Sequence, residues 1–172
     1  FDEKDVLQKR RSFINTLWNS FVLFDTYVKK IQNFRPDSSG QIPNAHVLDR
    51  WIMEKRNMLV AEVTKKMDAY DITGAARAIE KFAVSEFSQW YLRRSRRRFQ
   101  QPSSKQDFDA AARVAAGVLE TITRLSAPFA PFLAEAVWQG LRKKTGSKES
   151  SIHLFSWPEV LTKRIGSASD LL

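Results

Sequence analysis

Helix-breaking residues are scarce in this chain, and their scarcity constrains the fold more than any other feature of the sequence. Only six glycines and six prolines occur in 172 residues. The segments between the breakers carry apolar residues at helical spacing, most clearly over residues 72–90: Ile72, Ala75, Ala76, Ile79, Phe82, Ala83, Phe87 and Trp90. Long helical segments joined by short loops, with no sheet-forming stretch, predict an all-α bundle.

Five helices are predicted, over residues 5–34, 46–69, 72–99, 106–126 and 132–144. Asp71 is a suitable N-cap for the third helix, and Pro131 stands where proline is tolerated at the start of the fifth. A short extended piece from Ile152 is expected to cover one edge of the bundle. Residues 1–160 are predicted to form one domain, and residues 161–172 to begin a connection to a further region of a longer protein.

Composition excludes several kinds of site. The chain has no cysteine, which removes disulfides, cysteine-based zinc sites and thiol nucleophiles. His46 and His153 lack ligand-spaced partners and are predicted to lie at the surface or at a helix start. No phosphate-binding glycine loop, nucleophile elbow or membrane-length apolar run is present. We therefore expect a cytoplasmic monomer that has no active site, cofactor or metal of its own and no contact with a membrane.

Positive charge is concentrated in WYLRRSRRRF, residues 90–99. The net charge is +9, and five of these charges come from one cluster: Arg93, Arg94, Arg96, Arg97 and Arg98. Guanidinium groups are planar and permanently charged, so they suit phosphate groups and stack on bases. The cluster predicts a polyanionic partner.

The orientation of the cluster leaves two interpretations open. At 100° per residue from Trp90, Arg94 and Arg97 continue the buried stripe of the third helix. Either this helix extends past the bundle and exposes a basic groove, or the arginines pair with carboxylates such as Glu86.

Two further residues are candidates for the same site. Tyr91 is turned about 100° from Trp90 and is predicted to stack on an unpaired base. Lys55 lies on the apolar face of the second helix, where it is either a cation of the groove or a long side chain that reaches solvent at the edge. The aromatic residues at core spacing are Trp51, Phe82, Phe87, Trp90 and Trp138.

Six stretches occur in a characteristic order: RSFINTLWNSFVLFDTYV (11–28), LDRWI (48–52), YDITGAARAIEKF (70–82), WYLRRSRRRF (90–99), LSAPFAPFLAEAVW (125–138) and SIHLFSWPE (151–159). Together they resemble the helical anticodon-binding domain of the class I aminoacyl-tRNA synthetases for isoleucine, valine and leucine. The arginine-rich stretch favours the isoleucyl family over the valyl family. Arg56 stands where the family usually has an apolar residue, which predicts a second helix that sits differently or is less buried there.

The resemblance implies a parent enzyme that joins isoleucine to its tRNA with ATP and magnesium. The HIGH and KMSKS signatures of that catalytic core are absent from this chain, so catalysis is not expected here. The implied partners are isoleucine tRNA and the enzyme's own core, and the expected tRNA contacts are Arg93, Arg94, Arg96, Arg97 and Arg98, supported by Tyr91 and Lys55.

Four alternatives remain open at this point. The chain could be a protein-interaction bundle with an acidic partner, a general nucleic-acid binder, or the equivalent domain of a valyl enzyme. In the fourth alternative, some of the arginines bind the parent enzyme's catalytic core instead of tRNA and so hold the domain in place.

Overall fold

The computed structural model describes residues 10–29, 31 and 46–161, which form five helices and a C-terminal segment. No strand occurs within these ranges, and the predicted all-α bundle is confirmed. Helix α1 has a π-helical turn and an α-helical part, and α3 runs without a break through an α, a π and a second α part. The elements are α1 (Arg10–Ile14 and Asn15–Tyr27), α2 (Val47–Asp68), α3 (Ile72–Lys81, Phe82–Leu92 and Arg93–Gln100), α4 (Lys105–Ser126), α5 (Pro131–Thr145) and a 3-10 turn (Ile152–Leu154).

Helix starts follow the capping residues of the sequence. The Asp71 carboxylate accepts a hydrogen bond from the Gly74 N–H at 2.8 Å, which confirms Asp71 as the N-cap of α3. His46 caps α2, because its Nδ1 accepts from the Leu48 N–H at 3.2 Å. Pro131 occupies the first turn of α5, as predicted.

The prediction that the first helix continues to Phe34 is wrong. Helix α1 ends at Tyr27, and Val28 is extended, with φ −100° and ψ 104°. The chain leaves the helix here because Ile31 is buried and its N–H donates to the Lys144 carbonyl at 2.8 Å, at the end of α5. The predicted helical residues 5–9, 30 and 32–34 lie outside the described ranges.

The core is built around α4, which is buried at almost every position from Ala111 to Ser126. The other four helices pack around it. Helices α1 and α5 approach so closely that a Cβ on Gly140 would overlap the Phe21 ring. Of the predicted core aromatics, Phe82, Phe87 and Trp138 are confirmed as buried. None of the helices in the described ranges combines the length and apolar character needed to span a membrane.

The C-terminal segment covers one edge of the bundle, as predicted, but it begins with a 3-10 turn rather than an extended piece. The Phe155 ring meets the Trp138 ring edge-on at 4.8 Å. The Trp157 indole N–H donates to the Thr64 hydroxyl at 2.8 Å. These contacts fix the segment against α5 and α2.

The Glu135 carboxylate accepts hydrogen bonds from the start of this turn. It accepts from the Ser151 hydroxyl at 2.8 Å, the Ile152 N–H at 3.0 Å and the Gln139 side chain at 2.6 Å. Burial alone would raise the pKa of Glu135, but these donors favour the charged form and leave the pKa below its usual value.

Arg56 contradicts the prediction that α2 is less buried at this position, since the residue is only 3% exposed. Its Nε donates to the Thr121 hydroxyl of α4 at 2.9 Å, and its Nη1 donates to the Glu159 carbonyl at 3.2 Å. The guanidinium therefore joins α2 to α4 and to the C-terminal segment by hydrogen bonds. An apolar side chain at this position could not form these hydrogen bonds.

Candidate nucleic-acid interface

The last part of α3, Arg93–Gln100, divides its arginines between the interior and solvent. Ser95, Arg98 and Phe99 are buried. The other four arginines are exposed and lie within an arc of about 160° on the opposite side of the helix: Arg93, Arg94, Arg96 and Arg97. We call these four residues the arginine face. Within the part of the chain that the structure describes, no carboxylate forms an ion pair with any of them.

The prediction that Arg94 and Arg97 continue the buried stripe is therefore wrong, and the π-helical part of α3 is the reason. This part is eleven residues long, Phe82–Leu92. A π-helix closes each hydrogen bond over five residues rather than four, so each residue turns by less than 100°. The deviation accumulates before Trp90, which is therefore exposed rather than buried. Arg94 and Arg97 do lie on the same side of the helix as Trp90, but that side faces solvent.

The same deviation exchanges the environments of Trp90 and Tyr91. Tyr91, predicted to be exposed for base stacking, is completely buried, and its ring stacks on that of Phe87 at 6.0 Å. Trp90, predicted to be core, is 42% exposed. Tyr91 is thus placed in the interior, where no base can reach its ring.

Arg98 lies in a buried ion-pair cluster that joins three helices. Its two terminal nitrogens donate to the two carboxylate oxygens of Asp49 on α2, at 2.7 and 2.9 Å. Its Nε donates to Asp107 in the first turn of α4 at 2.7 Å. The Tyr91 hydroxyl donates to the same Asp49 carboxylate at 2.8 Å. These four residues, Asp49, Tyr91, Arg98 and Asp107, are called the buried cluster below.

The electrostatics of the buried cluster fix its protonation. Burial by itself would lower the pKa of Arg98, but the hydrogen bonds and the charge of Asp49 more than compensate and raise it above its ordinary value. Burial also raises the pKa of Tyr91 well above its usual value, and the Asp49 charge adds to this. Arg98 is therefore a cation neutralised inside the protein, which does not offer its charge to a ligand.

Of the two interpretations offered for Arg94 and Arg97, pairing with a carboxylate is not found for either residue among the described residues, and both are exposed. Pairing with carboxylates holds for Arg98, but its partners are Asp49 and Asp107 rather than Glu86. The four residues of the arginine face are exposed to solvent. Sequence reasoning gave no means of choosing Asp49, because it lies on another helix, 49 positions before Arg98.

The arginine face borders a pair of tryptophans. The Cζ atom of Arg94 lies 3.3 Å from the centroid of the Trp90 ring, and the Trp51 ring of α2 lies 5.8 Å from Trp90 at an angle of 46°. Lys55 is half-buried one helical turn beyond Trp51 and has no ion pair among the described residues. The spacing of four between Trp90 and Arg94 was a sequence signal for this contact that our interpretation missed.

The histidines belong to structural features. His46 caps α2 at a helix start, and His153 is exposed in the 3-10 turn, as predicted. Among the residues that the structure describes, no group of three or more histidine, aspartate or glutamate side chains could hold a metal ion.

The longest helix of the bundle ends in four solvent-facing arginines that have no carboxylate partner within the described ranges. Such a basic surface on a helical bundle is typical of domains that bind polyanions such as nucleic acids. The family model described as the anticodon-binding domain of tRNA ligase matches residues 49–170. This chain is a member of that family, as the resemblance predicted.

Several relatives carry the name isoleucine–tRNA ligase. The protein from Clostridium novyi is 38% identical over 160 residues, which cover 92% of this chain and 15% of the relative. The protein from Thermus thermophilus is 40% identical over 152 residues, or 87% of this chain and 14% of the relative. A Dehalococcoides mccartyi protein is 40% identical over 174 residues, with coverages of 99% and 17%. The chain thus spans about a sixth of the length of the curated relatives it matches. Because these relatives carry the isoleucine name, the valyl alternative is not favoured.

Proposed function

We propose that this chain binds the anticodon arm of a tRNA through the arginine face: Arg93, Arg94, Arg96 and Arg97. The observation that carries the proposal is that these four guanidinium groups share one side of α3 and have no carboxylate partner among the described residues. Each guanidinium offers several N–H donors in a fixed plane, which matches phosphate oxygens. The family to which the chain belongs supports tRNA as the source of those phosphates.

In this proposal the buried cluster has a positioning role. Arg98 and Asp49 hold the end of α3 against α2 and α4, which fixes the direction in which the arginine face points. Phosphate contacts set the register of the RNA, and contacts with unpaired loop bases supply sequence preference. Lys55 would add a cation beside the tryptophan pair.

The names of the relatives support isoleucine tRNA as the partner. We propose that the chain is part of a cytoplasmic, monomeric enzyme whose catalytic core binds ATP and magnesium and joins isoleucine to tRNA. In that enzyme this domain would orient the tRNA against the core without catalysing the reaction itself.

The test is to bind the chain to isoleucine tRNA and to the same tRNA with a swapped anticodon, at low and at moderate salt. We expect the isoleucine anticodon to be preferred at both. Four phosphate contacts predict a log–log salt slope of about −3. Equal binding of both tRNAs, duplex DNA and heparin would overturn the proposal in favour of a general polyanion-binding surface.

A further inference from the structure

We infer that Arg94, unlike the other members of the arginine face, forms a stacking site for an unpaired nucleobase. This inference rests on the proposed function, because it assigns the ligand class of one residue within the same surface. The site consists of Arg94 over the Trp90 ring, with the Trp51 ring tilted against Trp90.

The Arg94 guanidinium lies flat against the Trp90 ring. Its Cζ atom lies over the Trp90 ring at 3.3 Å from the centroid, a separation at which two flat groups are in contact. A steeply tilted guanidinium at this distance would push a nitrogen into the ring, so the two planes must lie nearly parallel. The attraction between the cation and the ring face holds this arrangement.

The outer face of the Arg94 guanidinium remains free to contact a ligand. Trp90 covers one face of the guanidinium, and Arg94 is exposed on the outside. The planar outer face is thus open to solvent. Arginine planes as well as aromatic rings are surfaces on which RNA-binding proteins stack splayed bases.

The Arg94 side chain is already ordered by its contact with Trp90. A free arginine loses much side-chain entropy when it orders against a ligand. Trp90 is itself braced by Trp51, whose ring lies 5.8 Å away. Arg94 is therefore held before a base arrives, whereas Arg93, Arg96 and Arg97 have no aromatic contact of this kind among the described residues.

The residues around Arg94 indicate which ligand would occupy this site. The neighbouring arginines of the same face attract phosphates, so the flat surface of Arg94 lies where a phosphate chain is expected to run. A ligand with a negatively charged backbone and flat, unpaired groups fits both features, and a single-stranded stretch of RNA has both.

The test uses the full chain and a synthetic anticodon stem-loop of isoleucine tRNA, together with versions in which each loop nucleotide in turn is abasic. With the unaltered protein, one abasic position should weaken binding by about 5- to 150-fold. Arg94→Lys keeps the charge but removes the flat surface. It should weaken binding of the intact RNA by a similar factor, lose sensitivity to that abasic position, and leave the salt slope unchanged.

Matched controls separate stacking from charge and from folding. Arg93→Lys removes a guanidinium with no stacking partner and should retain sensitivity to the abasic position. Trp90→Ala should behave like Arg94→Lys, whereas Trp18→Ala, a similarly exposed tryptophan on α1 (40% against 42%), should not.

The outcomes distinguish the two proposals. If Arg94→Lys and Arg93→Lys behave alike, or if the protein and RNA changes are additive at every loop position, the stacking site is overturned while tRNA binding stands. If the unaltered chain shows no salt-dependent binding of the stem-loop, the proposed function fails and the stacking site fails with it.

Discussion

Asp49 and Arg98 form a two-point ion pair across the α2–α3 interface, in which Nη1 donates to Oδ1 at 2.7 Å and Nη2 donates to Oδ2 at 2.9 Å. Asp49 is 1% exposed and Arg98 is 8% exposed. The pair joins the helix that carries the arginine face to the rest of the bundle. Its strength therefore governs how firmly that face is oriented.

Replacing Asp49 with Asn should destabilise the domain by about 3 kcal/mol, because a buried cation loses its main partner. This is the lower end of the usual cost, since Asp107 still neutralises Arg98 in part. Urea unfolding followed by circular dichroism measures the change. The control is Asp109→Asn in the exposed pair with Lys105, which should cost less than about 0.5 kcal/mol. Equal costs for the two variants would contradict the role of the buried pair.

Tyr91→Phe should lower the free energy of unfolding by about 1.5–3 kcal/mol, because it removes a hydrogen bond to a charged, buried carboxylate. Affinity for tRNA should stay within about twofold, since the ring lies in the core. The measurements are urea unfolding and tRNA binding on the same preparation. A loss of affinity with unchanged stability would instead place Tyr91 among the RNA contacts.

The lowered pKa of Glu135 predicts that the free energy of unfolding depends on pH in the acidic range. Its pKa is lower in the folded than in the unfolded chain, so it contributes stability that is fully present above the unfolded value of about 4.3. That contribution is lost as the pH falls through the lower folded pKa. Glu135→Gln should cost on the order of 1 kcal/mol at pH 7, and the difference from the unaltered chain should shrink toward pH 3 in urea unfolding. A difference that is constant or that grows in acid would contradict this assignment.

Much of the fold could be predicted from the sequence because local rules determine it. Asp71 and Pro131 define helix starts through interactions within one turn. Phe82 and Phe87 were placed in the core by periodicity alone, and both are buried.

The errors come from features with no local signal. The π-helical part of α3 changes the rotation per residue, and a periodicity argument that assumes an α-helix then exchanges Trp90 and Tyr91. The pairing of Arg98 with Asp49 depends on how α2 packs against α3. A run of five arginines looks uniform in the sequence, and only tertiary packing separates the buried one from the exposed four.

The most direct test of the arginine face as the tRNA-binding surface is the salt dependence of tRNA binding after part of that face is removed. The triple variant Arg93→Ala, Arg96→Ala, Arg97→Ala is compared with Lys81→Ala, Lys143→Ala, Lys148→Ala, which removes the same charge from exposed positions elsewhere. Melting temperatures should be nearly unchanged in both, because all six side chains are exposed.

The arginine triple should reduce the magnitude of the log–log salt slope by about 2, since three of the four phosphate contacts are removed, and should weaken binding by roughly tenfold or more at low salt. The lysine triple should leave the slope close to that of the unaltered chain. If the two triples change affinity and slope equally, the attraction comes from diffuse net charge, and the claim that the end of α3 is the tRNA-binding surface is contradicted.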